Sequence, residues 1–433
     1  MRSQTVLTKL DRIAEQAVEN PNMQFTTLAH LIDEEFLRDA FGQIRKKAAA
    51  GVDGVTAEEY AKDLDTNITE LYERMRSGRY KAPPVKRVWL EKEDGKQRPI
   101  GIPALEDKVL QRAVTMLLEA IYEQVFYACS HGFRRKKNAH QALREIRENC
   151  MSIGIGWILD ADIKGYFDSI RKDVLREFLR KKMNDGTIIR FIGKWLNAGV
   201  MEEGKWTSSD TGTPQGGVIS PMLSNVFLHY VLDEWYEQEI KPRLKGRSFL
   251  IRFADDFVIG FELESDARRV MEVLPKRFNR FGLTIHPTKT KLIEFGRPSR
   301  EQTSGKGKGT FDFLGFTHYW ARSRRGHWVV KRKTKAKKLR WAMKALWQWC
   351  RRNRHMPIGE QWKKLRRKLL GHYQYFGITG NYKLLDVYLQ YTQRAWRFWL
   401  GRRHRSGHVS WEKFNQHHLA LFPLPRPKIV HTV

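Results

Sequence analysis

Apolar residues in the first fifty positions recur near a 3.6-residue period, at Leu28, Leu31, Ile32, Phe36, Leu37, Phe41 and Ile44. The spacing predicts helix over residues 1–50, broken by Gly51-Val52-Asp53-Gly54, and a second helix over 57–76. After Pro83-Pro84 the pattern turns extended. Val85 to Glu91 and Gln97 to Ile102 flank Glu93-Asp94-Gly95-Lys96, a composition that predicts a β-hairpin displaying Lys92, Lys96 and Arg98. Residues 105–127 return to helical spacing.

Trp157-Ile158-Leu159 opens a short buried strand, and residues 170–199 read as a helix with Asp168 or Ser169 as N-cap. Gly212-Thr213-Pro214-Gln215-Gly216-Gly217 reads as a turn before an apolar helix from about Pro221 to Trp235. Phe249 to Phe261 reads as strand, acidic turn, strand; residues 264–281 as a helix; Leu283 to Phe295 as a strand pair. The polar, Gly-rich stretch 299–310 is the best linker candidate, and the run 331–403 reads as mostly helical. No internal repeat is visible. A chain of 433 residues with this mixture is expected to form two or three lobes.

Charge narrows the class of partner. The formal net charge of +31 predicts attraction to a dense polyanion, and nucleic acid suits it best. From residue 301 onward there are 30 Lys or Arg against 5 Asp or Glu, together with 9 of the 14 tryptophans. Cations neutralise phosphates and aromatic faces stack on bases, so this stretch is the candidate nucleic-acid surface. Trp341, Trp396 and Trp399, at helical spacing with leucines, are expected to pack rather than to meet bases. No stretch approaches the roughly 20 apolar residues that span a bilayer, and the first residues lack a signal peptide's apolar run. No membrane partner and a cytoplasmic location are therefore expected. Three isolated cysteines supply neither a disulfide framework nor a CxxC zinc site.

Candidate chemistry centres on acids. Asp255 and Asp256 sit between the apolar runs Leu250-Ile251-Arg252-Phe253 and Phe257-Val258-Ile259, as acids at the tip of a hairpin would. With a third carboxylate they would make an all-oxygen site of the kind Mg²⁺ prefers, although Asp pairs also form ordinary turns. Asp162, at the end of the Trp157 strand, is the third candidate; it and Asp160 also fit as strand-end polar residues, and Asp168 fits better as a helix cap. Two such ions suit phosphoryl transfer, and Lys92, Arg98 and Lys108 are candidate clamps on a triphosphate.

At these residues the chain resembles the reverse transcriptases encoded by group II introns. Phe253-Ala254-Asp255-Asp256 resembles the YADD box, and Asp162-Ile163-Lys164-Gly165-Tyr166-Phe167-Asp168 the strand bearing the first catalytic acid. Residues 212–217 with Ser220-Pro221 resemble the GTPQGG…SP motif. Gly51-Val52-Asp53-Gly54, Arg98-Pro99-Ile100-Gly101-Ile102-Pro103, His131-Gly132-Phe133-Arg134, Lys289-Thr290 and Phe313-Leu314-Gly315-Phe316 follow in the family's order. Leu369-Leu370-Gly371-His372-Tyr373-Gln374-Tyr375-Phe376-Gly377 resembles the thumb, or maturase domain.

The resemblance implies an α+β right-hand polymerase, with fingers and a palm built on an antiparallel sheet, followed by an α-helical thumb/maturase domain. Its parts would be an N-terminal helical extension (1–50), fingers with part of the palm (51–156), palm (157–300), linker and thumb (301–403) and a basic tail (404–433). It makes Asp162, Asp255 and Asp256 the catalytic ligands of two Mg²⁺ ions, with Mn²⁺ as a substitute. Deoxynucleotides would meet Lys92, Arg98, Lys108, Phe167, Gln215 and Lys289, with Phe167 excluding a ribose 2′-hydroxyl. Primer and template would meet Phe253, Ala254, Pro214, Gly216 and Arg134. The expected function is RNA-directed DNA synthesis on intron RNA, from a DNA primer or target, joined to splicing assistance by RNA binding. Two alternatives are an RNA-binding splicing cofactor with an idle site, and a reverse transcriptase recruited for host defence or repair. The chain departs from the family in Phe253 for Tyr, and in Arg135-Lys136-Lys137-Asn138 after Gly-Phe-Arg. It also stops soon after the thumb, so a member without an HNH endonuclease domain is expected. Oligomeric state is not legible.

Overall fold

The computed structural model describes residues 3–91, 95, 97–202, 205–207, 216–299, 307–404 and 407–432. Two compact units interleave along the sequence. One comprises Met1–Ala142, Ala161–Ile259 and Ser265–Leu292, the other Leu143–Asp160, Gly260–Glu264 and Ile293–Val433.

In the first unit the expected N-terminal helix divides into Gln4–Glu19 and Glu34–Gln43. Asp33 caps the second by accepting from the Phe36 amide at 2.9 Å. The predicted 57–76 helix likewise divides, into Ala57–Tyr60, closed by a Thr56–Glu59 capping box, and Leu64–Arg76. Strands Val85–Glu91 and Gln97–Ile102 pair antiparallel as the turn composition predicts, and Val85 and Lys86 pair in parallel with Val200 and Met201. Helix Leu105–Tyr122 follows, apolar on nearly every side and buried accordingly.

The predicted 170–199 helix is two helices, Lys172–Arg180 and Gly186–Asn197. Asp185 is the reason. Its carboxylate accepts from Thr187 and Ile188 amides at 2.8 and 3.1 Å, and its other oxygen from Leu28 and Ala29 at 2.6 and 2.9 Å. One buried acid thus starts a helix and ties the N-terminal segment to it. Neither Asp168 nor Ser169 caps Lys172–Arg180; both lie inside the short helix Tyr166–Ser169. The helix from Ser220 runs to Leu228 and continues in π-helical turns to Ile240.

A four-stranded sheet has the order Lys291–Glu294, Trp157–Ala161, Asp256–Phe261, Ser248–Phe253. Ile163–Lys164 pairs antiparallel with Thr284–Ile285. In the second unit, Phe311–Phe313, Phe316–Arg322 and Trp328–Thr334 form an antiparallel sheet, so the expected helical run begins only at Ala336. Alternation at Trp328, Val330, Arg332 and Thr334, all buried, makes a strand of it despite three cations in seven residues. Three helices follow, Ala336–Arg352, Ile358–Phe376 and Tyr382–Gly401. Leu339, Leu346, Leu365, Leu369, Leu385 and Trp396 are among the residues of their shared core. Trp396 is fully buried and its indole donates to Gln361 at 2.9 Å, but Trp341 is 45% exposed and packing does not explain it. Among the described residues no helix is long and apolar enough to cross a membrane. The α+β class with a C-terminal helical region is the observed architecture.

Candidate active site

Asp255 lies in the two-residue turn Ala254-Asp255, and exposed Asp256 opens the next strand. Ala254 adopts φ +57°, a left-handed conformation that costs a non-glycine residue roughly 1 kcal/mol. The surrounding packing holds it there. A Cβ on Gly132 would lie 2.3 Å from the Ala254 amide nitrogen, so only glycine lets the two segments meet. The Gly132 carbonyl accepts from Asn225 at 2.7 Å, and the His131 amide donates to the Arg252 carbonyl at 2.8 Å.

Beneath the turn sits Arg252, fully buried within the strand. Its Nε and Nη2 donate to the two oxygens of buried Asp233 at 2.7 and 2.5 Å. Nη1 donates to Asn225 Oδ1 and to the Ala254 carbonyl, both at 3.0 Å, and Nη2 to Ser130 Oγ at 2.8 Å. A buried bidentate pair with every neighbour satisfied is a rigid support, and here it grips the backbone of the acidic turn. Arg252, Asp233, Asn225, Ser130 and Gly132 are absent from the sequence-based site. The signal was a charge inside each of two apolar runs, Leu250-Ile251-Arg252-Phe253 and Val231-Leu232-Asp233, since buried charges require partners.

Asp162 follows the strand Trp157–Ala161. Its carbonyl accepts from the His286 amide at 2.7 Å, and its carboxylate pairs with Lys289 Nζ at 2.9 Å. Lys289 and Asp162 are therefore neighbours although 127 positions apart. Burial raises the proton affinity of Asp255, and the Asp162 charge adds to this, while Arg98 and Arg252 oppose it. Asp162, Asp255 and Arg98 thus share one electrostatic environment.

The donor set, carboxylates alone, suits a hard divalent cation, and the burial that disfavours the charged form of Asp255 is a cost that such a cation would offset. Among the described residues, however, no three His, Cys, Asp or Glu side chains are gathered closely enough to hold an ion as they stand. Lys289 supplies the positive charge at Asp162 instead.

The other expected contacts divide. Phe167 is half-buried beside Tyr166, whose hydroxyl donates to the Ser224 carbonyl at 2.9 Å. Half-buried Phe253 has its ring 6.4 Å from that of Phe133, which is 60% exposed. Gly216 has φ +117°, and a Cβ there would meet the Gly101 carbonyl at 2.6 Å. The segment after it is anchored by buried Gln111, whose Oε1 accepts from the Val218 amide at 2.9 Å.

Two of the expected cations have partners within the fold. Lys108 is buried, its ammonium donates to the Ala49 carbonyl at 2.6 Å, and burial lowers its proton affinity. Arg134 donates to Glu123 and to the Tyr127 and Ser130 carbonyls, over the ring of Phe126. Lys92, Lys96, Pro214 and Gln215 lie outside the described residues.

Comparison with known proteins gives this geometry its context. Residues 90–318 match the family described as reverse transcriptase (RNA-dependent DNA polymerase). The chain is 32% identical over 282 residues to Protein YkfC of Escherichia coli K12, covering 57% of this chain and 74% of that one. It is 35% identical over 300 residues to the group II intron-encoded protein LtrA of Lactococcus lactis, covering 66% of this chain and 50% of LtrA. It is 33% identical over 348 residues to an uncharacterized 91 kDa protein in the cob intron of Schizosaccharomyces pombe, covering 67% and 42%. The chain thus spans about half or less of the intron relatives' length. With the family match covering more than half of its residues, and with the acidic turn between two strands, the chain belongs to the reverse transcriptase family.

Proposed function

We propose that this chain copies RNA into DNA by two-metal nucleotidyl transfer and, through its basic helical unit, binds intron RNA and assists its splicing. The observation that carries the reading is the acidic turn itself. The buried Arg252–Asp233 pair grips the Ala254 carbonyl of that turn, and Asp255 feels the charge of Asp162, which follows the strand Trp157–Ala161.

In this reading Asp162, Asp255 and Asp256 would hold two Mg²⁺ ions, for which Mn²⁺ would substitute. The chemistry the ions supply when bound is activation of a primer 3′-hydroxyl and charge neutralisation on the leaving pyrophosphate. The chain's own part is positioning, which supplies much of the catalysis in phosphoryl transfer. Arg98, which acts electrostatically on Asp255, would meet the incoming triphosphate. Lys289, paired with Asp162, is placed to exchange that carboxylate for a phosphate oxygen. Phe167 would sense the sugar, favouring deoxynucleoside triphosphates, and Phe253 would lie at the primer end. Gly216, pressed against Gly101, would border the template. Fingers, palm and thumb with the bounds given above are the corresponding domain reading.

Asp162→Asn tests the division of labour, with deoxynucleotide incorporation and RNA binding measured separately. Synthesis should fall by at least about a hundredfold, in line with losing an electrostatic group at the reacting centre, while RNA affinity stays within about twofold. Parallel loss of both would contradict the assignment of the acids to chemistry.

A further inference from the structure

Helices Ala336–Arg352 and Tyr382–Gly401 present a cleft of about 370 Å³ lined by Arg340, Met343, Lys344, Trp347 and Tyr391. Nothing above assigns it a role. Its volume falls at the lower end of the range of small-ligand sites. Its floor is aromatic and fixed: the Trp347 ring lies 6.3 Å from Tyr391, 5.0 Å from Phe398 and 5.5 Å from Trp399. Its rim is cationic, with Arg340 and Lys344 exposed one turn apart. Lys337, Arg340, Met343, Lys344, Trp347 and Arg351 fall on one stripe of the helix at 100° per residue, so cations flank the aromatic floor along its length.

Among the described residues, no hydrogen bond or ion pair engages the Arg340 guanidinium, the Lys344 ammonium or the Tyr391 hydroxyl. The same stripe carries no acid. An aromatic floor calls for a flat π-system and a cationic rim for an anion next to it; a nucleotide joins the two within one molecule. A paired base keeps its faces inside the helix stack and cannot enter, whereas an unpaired one can.

We propose that this cleft receives a single unpaired nucleotide of an RNA strand, its base stacked on Trp347 and Tyr391 and its phosphate on Arg340 and Lys344. The proposal rests on the reading of the helical unit as an RNA-binding surface and adds to it a preference for bulged over continuous duplex.

The test uses the full chain and two RNA hairpins of the same stem, one continuous and one with a single unpaired 2-aminopurine. The wild type should bind the bulged hairpin about tenfold more tightly, the order expected for one base stacked on an aromatic side chain, and should quench the 2-aminopurine fluorescence. Trp347→Leu should erase that preference and leave continuous-duplex affinity within about threefold, and Arg340→Gln with Lys344→Gln, on exposed positions, should weaken the bulged hairpin several-fold more than the continuous one. Equal affinity of the wild type for the two hairpins overturns the cleft while leaving RNA binding in place. Equal weakening of the variants toward both hairpins, in protein that keeps its circular dichroism, also overturns it. Tighter binding of the corresponding bulged DNA overturns the choice of RNA. Absence of binding to either hairpin defeats the underlying reading of the helical unit.

Discussion

At the scale of residues, the acids and the groups that hold them differ in how openly the sequence displays them. Asp255 and Asp256 are adjacent and flanked by apolar strands, so their pattern is visible without a structure. Arg252 and Asp233 are 19 positions apart and become a pair only when strand and helix pack. Removing one partner of a fully buried pair strands the other, so Arg252→Met should lower unfolding free energy by about 3–5 kcal/mol, measured by chemical denaturation. Arg252→Met with Asp233→Leu should recover much of that loss, and a single-variant cost below about 1 kcal/mol would contradict the role. Phe167→Ala, which leaves the acids in place, should raise incorporation of ribonucleotides relative to deoxynucleotides in steady-state assays; an unchanged ratio would remove Phe167 from sugar selection. Lys108 and Arg134 show why basic residues were harder to read. A cation's long stem can follow the backbone inward, and composition does not reveal which cations do so.

At the scale of elements, the hairpin at Val85–Ile102, the acidic hairpin and the mostly helical character of the C-terminal run were legible from periodicity and turn residues. Several breaks were not, two of them instructive. Asp185 caps the helix Gly186–Asn197 and also accepts from the Leu28 and Ala29 amides, and this second, tertiary tie has no local signature. Trp328–Thr334 is strand because alternate side chains are buried, while its cations pointed to the helical pattern of the residues after it. The motif residues 313–316 and 369–377 pack together: the Tyr375 hydroxyl donates to the Leu314 carbonyl at 2.9 Å, and the Phe316 and Phe376 rings lie 5.2 Å apart. The same unit buries His318, stacked on Phe311, and His372, stacked on Tyr388. Burial pushes them down to about 3 and about 4, with Arg332 adding to the effect at His318. The unfolded chain then binds more protons than the folded one below about pH 6.5, so this stability is full above that pH and is lost as pH falls toward 4. His318→Phe should therefore lose less stability than the wild type between pH 7 and pH 5, in denaturant titrations at both values. Equal losses would show that the histidine is not the acid-sensitive group.

At the scale of the whole molecule, charge is the property that the sequence displays most plainly. The surplus of cations after residue 301 falls on the sheet and helices of one unit, and the carboxylates proposed for catalysis fall in the other. RNA binding and DNA synthesis should respond differently to conditions. If six or more phosphates are contacted, RNA affinity should fall by about a thousandfold or more between 50 and 200 mM salt. A flat salt response in a filter-binding titration would remove phosphate neutralisation as the source of affinity. The central claim is that the acidic turn makes this chain a DNA polymerase on RNA, and primer extension tests it most directly. Purified protein is given an RNA template, a DNA primer, deoxynucleotides and Mg²⁺, beside an Asp255→Ala control. Extension by the wild type and none by the variant is the predicted result. Extension by both, or by neither while RNA is bound tightly, would contradict it.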